Sequence, residues 1–188
     1  MHELEPFYHW RELYKAEEDE RSPFFEREYS EIYFTHAVYN YVIHPQWDSI
    51  GSETLYLKIL FADYEKGFAV IELIGEWNDA INNDVMTLKR DIIDLLLDDG
   101  INKFMLIGEN LLQFHGEGED YYEEWYEDVE DGWIVALNFR PHIQEQLAEY
   151  RIDYYMIYGG ELDTLNWRGL TPYQLFNRVE HIISRRLN

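Results

Sequence analysis

The chain has 188 residues, of which 38 are acidic, 15 basic and none cysteine, for a formal charge of −23, and 46% are hydrophobic. That length suits one domain with an extension, and the apolar share excludes global disorder. The charge excludes nucleic acid and anionic membrane surfaces as partners, since both repel acid; the missing cysteine excludes disulfides, thiolate catalysis and Cys-based zinc sites, and fits the cytoplasm.

Along the chain, Glu3, Glu5, Arg11 and Glu12 interrupt any signal-peptide pattern, and no apolar run is long enough to span a bilayer. Phe7, Trp10, Leu13 and Tyr14 fall at helical spacing, so a helix is expected that ends near Asp19 to Ser22, before Pro23. Its apolar stripe is expected to cover its own domain, with a homodimer contact as the alternative. Residues 31–45, rich in β-branched and aromatic types, read as a strand stopped by Pro45. A turn with Trp47, Asp48, Gly51 and Ser52 leads to a strand over 55–62, with Leu55, Leu57, Ile59 and Phe61 on one face. A short turn through Gly67 makes this strand and 68–74 an antiparallel hairpin.

A helix follows, capped by Asn82, Asn83 or Asp84 and running to about Asp98, with Val85, Leu88, Ile92 and Leu95 at helical spacing and Gly100 as a left-handed stop. Residues 103–107, 133–137 and 154–158 read as buried strands. Between the last two lies a helix opened by Pro141, carrying Ile143, Leu147 and Tyr150. The last helix starts at Thr171, where Thr171, Pro172 and Gln174 form a capping box. Leu175, Phe176, Val179, Ile182, Ile183 and Leu187 make its apolar face, and Arg185 and Arg186 suit its final turn.

Residues 67–77 (GFAVIELIGEW), 101–107 (INKFMLI), 131–141 (DGWIVALNFRP) and 154–158 (YYMIY) together resemble a STAS domain, the fold of bacterial anti-sigma-factor antagonists. The resemblance covers about residues 54–187. It implies an α/β fold: a STAS-like mixed, mostly parallel β-sheet with crossover helices, plus an N-terminal helix and strand extension. Residues 1–30 would be the amphipathic helix and charged segment, and 31–188 a single STAS-like α/β domain. Antagonists of this type bind a kinase-like protein and are switched by phosphorylation of a loop Ser. The matching segment here, residues 111–120 (LLQFHGEGED), contains no Ser or Thr, and Glu117 stands near the acceptor position, so the phosphoswitch is in doubt.

The most unusual local feature is residues 117–131, where Glu117, Glu119, Asp120, Glu123, Glu124, Glu127, Asp128, Glu130 and Asp131 are acidic and none is basic. Tyr122, Trp125, Tyr126 and Val129 among them fit one face of a helix. A solvated acidic back explains the run without function; a docking surface for a basic partner explains it with one. The expected function is a non-catalytic, regulatory protein-interaction domain that engages a protein partner through Gln113, His115, Glu117, Glu119, Asp120, Tyr122, Glu123, Trp125 and Tyr126. The alternative is a small-molecule- or cation-binding domain, or a hydrolytic enzyme, using carboxylates near His115. No EF-hand spacing, His-Glu-x-x-His helix, nucleophile elbow or P-loop occurs, so no catalytic residue, metal or cofactor is expected. His44 and Asp48 share a turn and His142 follows Pro141, both read as structural, with His142 exposed and Trp47 buried.

Overall fold

The protein, seen in a computed structural model, is described over residues 4–187, with Leu187 known by its backbone alone. Glu3 of the charged start and the Leu187 side chain of the last apolar stripe lie outside the described residues. Strands β4 (Leu55–Asp63) and β5 (Phe68–Asn78) are buried almost end to end. Such unbroken burial is possible only where both faces of a sheet are covered. The sheet runs β3 (Asp48–Ser49), β4, β5, β6 (Lys103–His115) and β7 (Trp133–Leu137) in chain order. β3–β4 and β4–β5 pair antiparallel, and β5–β6 and β6–β7 parallel. The α/β class and mixed sheet are as expected, but antiparallel and parallel junctions are equal in number.

On one face lie Leu57, Ile71, Phe104 and Leu106. They meet Val85, Leu88, Ile92 and Leu96 of a helical run built from α1 (Asp79–Asn82), α2 (Asp84–Leu88), a π-helical turn (Lys89–Ile93) and α3 (Asp94–Asp98). α4 (Asp120–Asp128) and α5 (Pro141–Glu149) complete that layer through Tyr122, Trp125, Ile143 and Leu147. On the other face Phe68, Val70, Met105 and Ile107 meet Leu175, Phe176, Val179 and Ile182 of α6 (Pro172–Leu187), with Trp10 and Trp167 beside them. The expected capping box is formed: Gln174 N–H donates to Thr171 Oγ1 at 3.2 Å, and Thr171 N–H to Gln174 Oε1 at 2.9 Å.

Five expectations are corrected. The N-terminal helix is absent: residues 9–13 form turns, with one i→i−4 bond, from Tyr14 N–H to Trp10 O. Tertiary bonds win there, from Phe7 N–H to Glu72 Oε2 at 2.9 Å and from Trp10 Nε1 to Leu170 O at 3.0 Å, and they lay Phe7 and Trp10 against Trp167. The stripe therefore covers its own chain, while Leu13 stays exposed. The strand expected over 31–45 is a small hairpin, β1 (His36–Val38) and β2 (Tyr41–Ile43), folded back at Tyr39, whose φ is 54°. Phe61 leaves the Leu55, Leu57, Ile59 face because a bulge between Ile59 and Phe61 shifts the register. Residues 154–158 do not form a strand; Ile157 alone bridges Val135, after a 3-10 turn over Ile152–Tyr154. Finally, β6 continues to His115, eight residues beyond the expected end, because β5 is long enough to pair with it.

Candidate functional site

The long partners β5 and β6 end side by side, with Glu76 opposite Gln113, Trp77 opposite Phe114 and Asn78 opposite His115. The segment that matches the switch loop, residues 111–120, is thus strand as far as His115, and Gln113 and His115 stand on the part of β6 that pairs with β5. On its other side Gly75 lets β5 come close to the residue before β4: at φ 106° a Cβ would sit 2.0 Å from Thr54 O. The next residue, Glu76, donates its N–H to that same carbonyl at 2.9 Å.

Below this edge three buried carboxylates act as a bracket. Asp79 Oδ1 accepts from Trp77 Nε1 at 2.9 Å and from Val85 N–H at 2.8 Å, and Oδ2 accepts from Tyr122 OH at 2.5 Å. Burial pushes the Asp79 carboxyl up to about 6, with the Asp84 charge adding and these three donors opposing. The Tyr122 hydroxyl is held well above its ordinary range by burial and by Asp79. Asp84 Oδ2 accepts from Asn78 N–H at 2.7 Å, and burial raises this carboxyl as well. Glu76 accepts from Asn78 Nδ2 at 2.7 Å and from Tyr39 OH, which ties the β1–β2 hairpin to the sheet. A fully buried Tyr122 bonded to Asp79 therefore seats α4 on the end of β5.

Tyr122 and Trp125, expected to face a partner, are both fully buried, and Trp125 packs edge-on against Phe104 at 5.4 Å. They belong to the core because the aromatic stripe of α4 is what anchors the helix. The opposite side is the solvated one. Glu117, Asp120 and Glu123 are exposed there, Glu119 and Gln113 are half-buried, and Tyr126, expected on the buried stripe, is exposed at its flank. Gln113 Oε1 accepts from Gln146 Nε2 at 3.0 Å, which joins β6 to α5.

Two of the nine acids are neutralised from within. The buried Lys89 Nζ reaches Asp128 Oδ2 at 2.7 Å, Glu124 Oε1 at 3.5 Å and Asp94 Oδ1 closer still. Burial opposes the charge on Lys89, but hydrogen bonds to Asp128 and Asp94 override it and hold this ammonium above the usual lysine range. Arg90 binds Glu124 with both guanidinium nitrogens, at 2.8 Å for Nη2, and lowers its carboxyl. Asp94, Glu124 and Asp128 have oxygens within 4.8 Å of one another, the one group of described residues with a metal-like cluster. Lys89 and Arg90 already supply its positive charge. Glu117, Glu119, Asp120, Glu123, Glu127, Glu130 and Asp131 form no ion pair among the described residues.

His115 is exposed and meets one carboxylate among the described residues, Glu76, at 3.8 Å; the alternative site of His115 with neighbouring carboxylates is not among the metal-like groups of the described residues. His44 and Asp48 part company: His44 faces Glu5 at 3.3 Å, whereas Asp48 accepts from Tyr29 OH at 2.6 Å. Trp47 is buried as expected. His142 is half-buried, not exposed, because Nε2 meets Leu112 O at 2.9 Å. Several functional-looking groups escaped sequence reasoning, namely the Lys89 clamp, the Asp79 bracket, the rings of Tyr154 and Tyr155 beside Tyr126, and the charges of Lys58 and Glu72. The readable signal for the last two was a charge inside an apolar strand, as in LYLKILFA and FAVIELIG.

No helix of the described residues is long and apolar enough to cross a membrane. No family model matches the chain, and no curated protein matches it either. Among solved structures it is similar to the anti-sigma factor antagonist SpoIIAA in its unphosphorylated form, at 12% identity and a TM-score of 0.45, over 66% of this chain and 96% of that one. It is also similar to the Bacillus cell fate determinant SpoIIAA in the phosphorylated form, at 13% identity and a TM-score of 0.41, over 65% of this chain and 98% of that one.

Proposed function

We propose that the chain is a non-catalytic, cytoplasmic interaction domain that receives a basic segment of a protein partner on the outer face of α4 and the end of β6. The observation that carries this is the split among the nine acids of residues 117–131: Glu124 and Asp128 are neutralised by Lys89 and Arg90, and the other seven have no ion pair among the described residues. Like charges kept close on one face repel one another, and a cationic partner relieves that cost while its approach is steered by the field. Burial of Tyr122 and Trp125 keeps the face in place before a partner arrives, which lowers the ordering cost of binding. The site residues are then Gln113, His115, Glu117, Glu119, Asp120, Glu123 and Tyr126, with Tyr122 and Trp125 as support. The one carboxylate that His115 meets among the described residues, Glu76, is spent on structure, accepting from Tyr39 and Asn78. Occupancy, not turnover, is the mechanism.

Affinity capture from native lysate tests this with wild type and a Glu117→Lys, Glu123→Lys, Glu127→Lys variant as baits. A basic protein held by the wild type, released by salt and lost from the variant is the expected result. Equal capture by both baits overturns the proposal.

A further inference from the structure

In three places this chain builds the same small device, in which a tyrosine hydroxyl donates to a carboxylate and a cation lies over the ring. Tyr64 OH donates to Asp19 at 2.6 Å and Arg21 sits 3.9 Å above the ring. Tyr29 OH donates to Asp48 at 2.6 Å beneath Lys58, also at 3.9 Å. Tyr173 OH donates to Asp63 at 2.8 Å beneath Lys66 at 4.5 Å. The physics is common to all three. The carboxylate and the negative face of the ring attract the cation together, and the ring supplies contact area that water does not.

Four other tyrosines donate to a carboxylate with no Lys or Arg over the ring among the described residues, Tyr14 to Asp19, Tyr39 to Glu76, Tyr122 to Asp79 and Tyr155 to Glu119, and the last of these stands beside two exposed tyrosine rings. Tyr155 OH donates to Glu119 Oε2 at 3.3 Å, and Glu123 stands one helical turn on, its N–H donating to Glu119 O at 2.9 Å; burial first, then the charges of Glu119 and Glu123, raise the Tyr155 hydroxyl. Around it stand Tyr126 and Tyr154, with ring centres 5.8 and 5.3 Å from Tyr155 and 5.9 Å from each other. The three rings are inclined to one another by 53° to 82°, so they present faces in different directions and not one flat stack. Tyr126 is 46% and Tyr154 74% exposed, whereas Tyr155 is buried and backs the two open rings. Among the described residues no Lys or Arg lies over any of the three, not even Arg151, which is close in sequence.

We infer that the exposed rings of Tyr126 and Tyr154, backed by the buried Tyr155, form with Glu119 and Glu123 a binding site for an arginine side chain of a partner protein. This rests on the proposed function and sharpens it, since it names the residue type that the acidic face reads. Arginine fits better than lysine because a planar guanidinium stacks on one inclined ring while its edge donates to a carboxylate. The cation that each internal copy takes from this chain would here come from the partner.

The test titrates protein carrying ring-labelled tyrosine with a blocked peptide of alternating Arg and Gly, and with its citrulline counterpart, which keeps the shape and loses the charge. The expected result is movement of the Tyr126 and Tyr154 ring signals with the Arg peptide alone. Tyr126→Ala with Tyr154→Ala should weaken binding about five- to tenfold, as should Glu119→Gln with Glu123→Gln. Glu127→Gln with Asp131→Asn, on the same acidic face but outside the cluster, should weaken it less than twofold. Circular dichroism of each exposed-site variant checks that it is folded. If the Arg peptide binds in a salt-dependent way but moves neither ring and ignores the tyrosine changes, the arginine site is overturned while the acidic docking face stands. If the Arg peptide does not bind at all, both fall.

Discussion

Two lysines lie buried among carboxylates, and the protein holds them in opposite ways. Lys89, between the π-helical turn and α4, has hydrogen bonds to Asp94 and Asp128, and its ammonium is held above the ordinary range. Lys58, on the sheet beneath the N-terminal segment, lies 3.5 Å from Asp48 and 3.8 Å from Glu17 and makes no hydrogen bond. Burial lowers its ammonium and raises the Asp48 carboxyl. Depth is similar, so depth is not what separates them. Direct hydrogen bonds do: they return to Lys89 what leaving water removes, whereas Lys58 keeps the cost and has loose ion pairs and the Tyr29 ring in exchange.

The comparison breaks most sharply at Lys89. Lys89→Ala would leave Asp94 and Glu124 to Arg90 and Asp128 with no cation among the described residues, and should cost about 3 to 4 kcal/mol in urea unfolding, because half-exposed carboxylates are partly screened by water. A cost near zero would mean that water already does the work assigned to the clamp.

On the Lys58 side the strongest effect belongs to its cross-strand neighbour Glu72, which burial pushes up to about 7 against the Phe7 N–H and Arg168. A folded-state pKa above the ordinary 4.5 means that the native state keeps its proton longer, so stability from this group falls as pH climbs from about 4.5 through about 7. Glu72→Gln, whose amide oxygen still accepts from Phe7, should gain on the wild type across that window by up to about 3 kcal/mol. A pH-independent difference would sink the assignment.

Tyr122→Phe comes next. It deletes one of three donors to Asp79 and should cost about 2 kcal/mol at neutral pH, less in mild acid where Asp79 is protonated. The smallest effect is expected from Lys58→Met, about 1 kcal/mol or less, since Asp48 keeps Tyr29 and Arg27 and no hydrogen bond is lost. A loss as large as that of Lys89→Ala would show the two lysines to be equivalent after all.

The elements whose order is written in neighbouring residues were readable without coordinates. Val85, Leu88 and Ile92 marked their helix, Tyr122, Trp125 and Val129 marked α4, and Thr171, Pro172 and Gln174 marked the start of α6, because helical spacing and caps depend on residues within one or two turns. The acidic face was readable for the same reason, as a local run of charge. Longer-range competition was not. The N-terminal spacing promised a helix, but Glu72 lies 65 residues from the Phe7 amide that it accepts. Residues 108–115 mix polar and apolar types and became strand through pairing with β5. Lys89 meets Asp128 across 39 residues, and Tyr126 finds Tyr154 and Tyr155 across an intervening strand and helix. Sequence alone determined which segments had a face to bury and where the charge was dense. The tertiary structure alone decided which carboxylates were neutralised and which were left facing water, because an ion pair depends on distance in space and is indifferent to separation along the chain.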